Sequence, residues 1–201
     1  MTRAWSLVIP VKPAEVAKSR LEGGDAALAR AIALDTIAAA AQAERVLKVV
    51  VVTADRGLAA ELAGIARVQV EIEEAAEGIN AAIRRGLASL PDDGNRAAML
   101  GDLPALTGPM LDEVLEAAEQ FDLAVVADAD DLGTTLITAR AGHRLDPRFG
   151  GASLAAHRAA GHVLLAVPAS SGLRRDVDTR EQLRAAAALG LGPRTAALLS
   201  V

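Results

Sequence analysis

The sequence predicts an α/β fold, a mostly parallel sheet covered by helices, on three observations. Short β-branched runs alternate with helical apolar patterns along the chain. The runs are apolar almost throughout, as in strands buried on both faces. No internal repeat, low-complexity tract or linker breaks the alternation, so residues 1–201 read as one domain.

Residues 7–11 form the first predicted strand, followed by a helix at 25–43. Strand 46–53, helix 57–65, strand 68–72, helix 79–90, strand 97–100 and helix 109–120 continue the alternation. In the helical stretches, apolar residues recur at the spacing of one helix face. Beyond Phe121, strands are predicted at 123–127, 134–138 and 163–167. A helix opens at Ser153 and continues to His157, and a final helix spans 179–189. Ligands of such sheets sit outside the carboxyl ends of the strands. Connections 10–21, 101–106 and 174–179 therefore meet at one edge, where polar residues must be judged.

A chain of 201 residues can bury one substantial core. Hydrophobic residues make up 52% of it, in runs too short and too broken by charge to span a bilayer. The apolar stretch near the N-terminus is too short for a signal-peptide core, so a cytoplasmic protein with no membrane partner is expected. Cysteine is absent, which removes disulfides, thiolate nucleophiles and cysteine-ligated zinc. A net charge of −5 and 1% aromatic content supply neither a broad basic face nor stacking platforms, so no nucleic-acid partner is expected. A small anion needs only a local basic patch. The sequence leaves the oligomeric state, a homodimer included, open.

Four clusters carry candidate chemistry. Pro10, Lys12, Lys18 and Arg20 lie in one connection after the first strand. Its cations suit a triphosphate, though a solvated basic turn has the same composition, and the glycine spacing of a P-loop is missing. Asp102 follows an apolar strand in the turn Gly101-Asp102-Leu103-Pro104, where it either ligates a divalent cation or caps the next helix. Asp176 and Asp178 flank Val177 and project to one side of an extended segment. Asp178 or Thr179 competes as N-cap of the last helix, with Glu181 or Gln182 completing a capping box. Gly150, Gly151 and Ser153 free backbone amides at a helix start, with His157 four residues on, or else form an ordinary capped turn. Gly133-Thr134-Thr135 reads equally as strand entry. His143 and His162 read as structural.

Taken in order, these residues resemble the CofC/FbiD guanylyltransferase family of coenzyme F420 biosynthesis. The resemblance runs nearly end to end. Its carriers are Pro10-Val11-Lys12 with Ala17-Lys18-Ser19-Arg20-Leu21, Leu34-Asp35-Thr36, Gly78-Ile79-Asn80-Ala81-Ala82 and Gly101-Asp102-Leu103-Pro104-Ala105-Leu106. Further along come Gly133-Thr134-Thr135, Phe149-Gly150-Gly151-Ala152-Ser153 with His157, and Asp176-Val177-Asp178-Thr179. The resemblance implies the three-layer αβα, Rossmann-like sheet of MobA-like nucleotidyltransferases. It implies GTP over the first loop, with Pro10, Lys12, Lys18 and Arg20 near it and Asn80 beside the nucleotide. Mg²⁺ would be held by Asp102 and at least one of Asp176 and Asp178. Thr135, Gly150 and Ser153, with His157 in support, would hold a phosphorylated three-carbon acid. Here Asp130-Asp131-Leu132 replaces the family's glycine-rich approach to Gly-Thr-Thr.

The reaction implied is GMP transfer from GTP to that acid with release of pyrophosphate. The absence of a recognisable nucleophile and base agrees with an acceptor that is already ionised. The Ala- and Arg-rich composition suggests a high-GC bacterial gene, and the family's bacterial branch is associated with phosphoenolpyruvate as acceptor. Rival readings are 2-phospho-L-lactate as acceptor, another MobA-like nucleotidyltransferase, and a non-catalytic nucleotide-binding module.

Overall fold

The computed structural model describes residues 5–12 and 26–199; Lys18 and Arg20 lie outside them. Strands β1 (Trp5–Val11), β2 (Val46–Thr53), β3 (Val68–Ile72), β4 (Asn95–Met99), β5 (Leu123–Ala127), β6 (Thr134–Ala139) and β7 (Val163–Leu164) join in one sheet. Their order is β3-β2-β1-β4-β6-β5-β7. β6 runs antiparallel to β4 and β5, while the other pairings are parallel, so the expected mostly parallel sheet is present. The helices are α1 (Ala26–Gln42), α2 (Arg56–Leu62), α3 (Ile79–Ala88), α4 (Gly108–Ala118), α5 (Ser153–Ala159), α6 (Arg180–Ala187) and α7 (Pro193–Leu199), with a 3₁₀ turn at Gly172–Arg174. No helix among the described residues is long and apolar enough to cross a membrane.

Strand alternation builds the layers. Leu7 and Ile9 face one side with Val49 and Val51, under Leu34 and Ile37 of α1, Leu62 of α2 and Leu111 of α4. Val8, Val50 and Val52 face the other, under Ile83 of α3 and Leu154 of α5. Helices on both faces give the three-layer αβα arrangement. A third cluster joins Leu28 and Ile32 of α1 to Leu183 and Ala186 of α6 through Ala105 and Val177, directly beneath the aspartate loops.

Element ends differ from expectation by up to three residues, β1 starting at Trp5 and α2 ending at Leu62, and three other differences have a visible cause. β4 starts two residues early, at Asn95, whose side chain accepts a hydrogen bond from Ala141 N–H at 3.0 Å. β7 keeps only two paired residues of the predicted five; it is an edge strand with Val163 and Leu164 exposed. Helix α7 was not anticipated, because seven residues carry little periodicity. Its local signal is Gly192-Pro193, with proline at the first helical position.

The strand order reverses between β1 and β4, and a crevice at such a switch point is where an open α/β sheet binds ligands. Five strands deliver a charged residue to that edge soon after they end: Lys12 after β1, Asp55 after β2, Glu73 after β3, Asp102 after β4 and Asp128 after β5. The antiparallel β6 starts there with Thr134.

Candidate active site

The edge encloses a cavity of about 610 Å³. Asp102, Asp128, Asp176 and Asp178 line it at the β4–β5 end, Asp55 and Glu73 at the β2–β3 end, and Gly150, Gly151 and Ser153 line it at the turn into α5.

Backbone geometry locks the loops of Asp102 and of Asp176 and Asp178 together. Val177 N–H donates to the Asp102 carbonyl at 3.1 Å. With Val177 buried in the third cluster, Asp176 and Asp178 both border the cavity. The competing capping roles fall away. Thr179 caps α6, with Gln182 completing the box, and Thr107 caps α4, so none of the three aspartates is an N-cap. Beneath the Asp102 loop, the fully buried Thr36 hydroxyl donates to Ile32 O at 2.9 Å and accepts from Leu103 N–H at 3.1 Å. Asp35, its neighbour, takes the Arg194 and Thr195 amides at 3.2 and 2.8 Å, and Gly192 N–H reaches Pro104 O at 2.8 Å. Helix α7 is thus tied both to α1 and to the Asp102 loop.

The turn after β5 is organised by Asp128, whose carboxylate accepts from the amides of Asp130, Leu132 and Gly133 at 3.1, 3.0 and 2.7 Å. Any side chain on Gly133 would collide with that carboxylate. Arg174 clamps the same turn. Its guanidinium donates to Asp128 O, Val167 O and the Asp131 carboxylate at 2.6 to 3.1 Å. Asp130-Asp131-Leu132 therefore forms a defined turn without the glycines.

Thr134, not Thr135, lines the cavity. Val126 pairs with Leu136 but Ala127 with Thr134, which leaves Thr135 as the extra residue of a bulge, and bulges re-aim side chains beside sites. Thr135 is fully buried, and its hydroxyl has no partner among the described residues. His157 also departs from expectation. It is wholly buried, with Nε2 accepting from Arg148 N–H at 2.9 Å and Nδ1 3.0 Å from Thr134 Oγ1. Since the backbone amide must donate, the ring proton sits on Nδ1. Burial, then His162 and Arg148, hold its pKa down to about 4, so the ring is a neutral strut behind the site rather than a ligand or base.

Asn80 likewise spends its carboxamide internally. Nδ2 donates to Phe149 O at 2.9 Å and Oδ1 accepts from Phe149 N–H at 2.8 Å. It positions the next two residues, Gly150 and Gly151, whose φ of 111° and 49° suits glycine. Ser153 is buried at the cavity wall, and Ala152 offers α5 no side-chain cap.

Six carboxylates line the cavity against only Lys12 and Arg30 among the described residues, and Arg30 is committed to Asp55 at 2.7 Å and Glu61 at 2.8 Å. Burial, then the charges of Asp176 and Asp178, push Asp102 up to about 7. Burial, with Asp128, Asp178 and Asp130, pushes Asp176 up to about 6. Asp102 Oδ1 is sealed from solvent and accepts no hydrogen bond among the described residues. An orphaned carboxylate oxygen amid like charges fits a hard cation. Among the described residues no three His, Asp or Glu side chains group closely enough to hold a metal ion by themselves, so a cation here would rest on one or two carboxylates and complete its shell with water and phosphate.

Of the residues singled out in sequence, Pro10, Lys12, Asp102, Gly150, Ser153, Asp176 and Asp178 border the cavity, whereas Thr135, Asn80 and His157 stand behind it. Asp128, Arg174 and Glu73 were not singled out in the sequence, and Thr36 stood there only within Leu34-Asp35-Thr36, with no role. For Asp128 and Glu73 a signal existed, a charged residue directly after a buried strand.

Residues 5–192 match the protein family described as "Guanylyl transferase CofC like". The phosphoenolpyruvate guanylyltransferase of Streptomyces scabiei is 47% identical over 96% of this chain and 94% of its own. That of Sanguibacter keddieii is 42% identical over 97% of this chain and 84% of its own. Among solved structures, a nucleotidyl transferase from Methanothermobacter superposes with a TM-score of 0.61 at 18% identity, covering 92% of this chain and 97% of that one. A manganese complex of Rv0371C from Mycobacterium tuberculosis superposes at 0.60 and 19% identity, covering 92% and 98%. These structural likenesses concern the fold.

Proposed function

The chain belongs to the CofC-like guanylyl transferase family, and from that premise we propose that it transfers GMP from GTP to phosphoenolpyruvate with release of pyrophosphate, a step of coenzyme F420 biosynthesis. The observation that carries the reading is the group of half-buried aspartates at the switch point. Asp102 and Asp176 are strained toward protonation, and Asp102 has an oxygen that lacks any partner among the described residues.

Asp102, with Asp176 or Asp178, would hold Mg²⁺. The ion supplies neutralisation of the phosphates and stabilisation of the leaving group. Lys12, with Lys18 and Arg20 of the same connection, neutralises the triphosphate. The glycine amides at 150–151, Ser153 and Thr134 hold the acceptor, and the Thr135 bulge and the His157 strut fix Thr134. An acceptor phosphate oxygen attacks the α-phosphorus in line. The new P–O bond forms as the bond from Pα to the bridging oxygen of pyrophosphate breaks, and both electrons leave with pyrophosphate. A phosphate monoester is already ionised near neutral pH, so no side chain need take a proton. Catalysis is then positioning and charge neutralisation.

The test is pyrophosphate release from GTP and Mg²⁺ with phosphoenolpyruvate, 2-phospho-L-lactate and a sugar phosphate in parallel, with the product identified by mass. Release with phosphoenolpyruvate and formation of enolpyruvyl-diphosphoguanosine are expected. Release with the sugar phosphate alone, or with no acceptor, overturns the reading.

A further inference from the structure

Ile72, Thr53 and Val11 lie in one row across β3, β2 and β1. Continuing the β1–β4 register from Val8–Ala98 brings Gly101 beside Val11, and a Cβ on Gly101 would lie 3.2 Å from Val11 Cγ2. Glu73 and Asp102 therefore each stand one residue beyond the same row. They are three strands apart, about 14 Å at the usual inter-strand spacing.

Glu73 is a buried carboxylate, 8% exposed, on the cavity wall. Among the described residues its side chain has no hydrogen bond or ion pair. Arg85, whose charge acts on it in opposition to that of Glu77, forms its ion pair with Glu71 at 3.9 Å. Burial raises its pKa, so hydrogen-bond donors brought to it would stabilise the charged form. Ala29, Ala33, Leu58, Ile79 and Ala82 line the same cavity and supply apolar surface on which a flat ring can pack.

The spacing decides which part of a nucleotide arrives there. With the α-phosphate at Asp102, the ribose is joined through one ester oxygen and one methylene and stays near the metal end. The far edge of the base reaches three strands across. That edge of guanine presents two adjacent donors, N1–H and the 2-amino group, whereas adenine presents an acceptor at N1. The geometry points to Glu73 as the residue that selects guanine, its two oxygens accepting N1–H and N2–H. This inference rests on GTP being the nucleotide donor and adds the group that distinguishes it.

Xanthine keeps N1–H but carries a carbonyl in place of the 2-amino group, so it repels a carboxylate and matches an amide. Glu73→Gln is nearly isosteric and presents one acceptor and one donor. Equilibrium binding of GTP, ITP and XTP in Mg²⁺ is to be measured by calorimetry for the wild type and Glu73→Gln, alongside pyrophosphate release with phosphoenolpyruvate. Wild type should bind GTP best and ITP more weakly. Glu73→Gln should lose about 10- to 100-fold for GTP and gain at least about tenfold for XTP, the range of a bidentate base contact. A gain for XTP cannot come from a damaged fold. Unchanged ratios among the three nucleotides, or an equal loss for all three, overturns the assignment of Glu73. Selective GTP binding by a wild type that releases no pyrophosphate would overturn the transferase reading alone, and the binding ratios would still decide Glu73.

Discussion

Replacing Asp102 by Asn is expected to stabilise the metal-free protein while abolishing turnover. In the folded state the carboxyl titrates at about 7 instead of 3.8. The folded protein therefore binds more protons than the unfolded chain between those values, and stability falls as pH rises through that window. Below pH 3.8 the group costs nothing; above about 7 the whole cost is present. Roughly three decades of proton affinity at about 1.4 kcal/mol each give about 4 kcal/mol. Because Asp176 and Asp178 share the field, this is a ceiling for the single replacement. For a chain of this size each kcal/mol moves the melting temperature by about 2–4 °C, so a rise on the order of 5–15 °C is expected. Differential scanning calorimetry in EDTA at pH 8 should show that gain, and at pH 5 less than half of it. Mg²⁺ with GTP should narrow the gap, since only the wild type gains from the bound cation. An Asp102→Asn variant that melts at or below the wild-type temperature at pH 8 in EDTA would refute the picture of an uncompensated buried carboxylate.

Three further outcomes follow from the same geometry. Thr36→Val keeps the shape but strips the bridge between Ile32 O and Leu103 N–H, so urea unfolding should show a loss of about 1–3 kcal/mol and steady-state kinetics a fall in kcat larger than any change in KM, with Thr36→Ser restoring both. His157 is held down to about 4 from 6.5, so its penalty is absent above pH 6.5 and grows to about 3 kcal/mol as pH falls to 4. His157→Gln should lose stability at pH 7 but less of it on acidification than the wild type, as read by urea titrations at pH 7 and 4.5. Thr179→Ala removes the capping box of α6 and should cost about 0.5–2 kcal/mol by the same titration, with kcat largely retained because no aspartate of the site depends on that cap.

Much of this was legible in the sequence because the physics is local. Short β-branched runs such as Val49-Val50-Val51-Val52 read as strands buried on both faces, and a carboxylate stranded after such a run, as at Asp102, lands at the ligand-binding edge. What escaped was non-local. Nothing near Asn80 announces that its amide closes on Phe149, sixty-nine residues away, and nothing near His157 reveals that Arg148 N–H occupies one of its nitrogens. The bulge that exchanges the roles of Thr134 and Thr135 depends on pairing with β5, invisible to periodicity within β6. Capping was decided by competition: Thr179 and Thr107 cap α6 and α4, which left Asp102, Asp176 and Asp178 to the cavity.

Asp35 and Thr36 sit side by side on α1, one holding the start of α7 and the other the loop that carries Asp102. Opening of either would loosen the common support, so the two regions should behave as one cooperative unit. The amides of Leu103 and Thr195 should then exchange with solvent hydrogen at similar, slow rates, although they lie almost a hundred residues apart. Fraying of α7 would register at the Asp102 loop as a lost fraction of competent molecules.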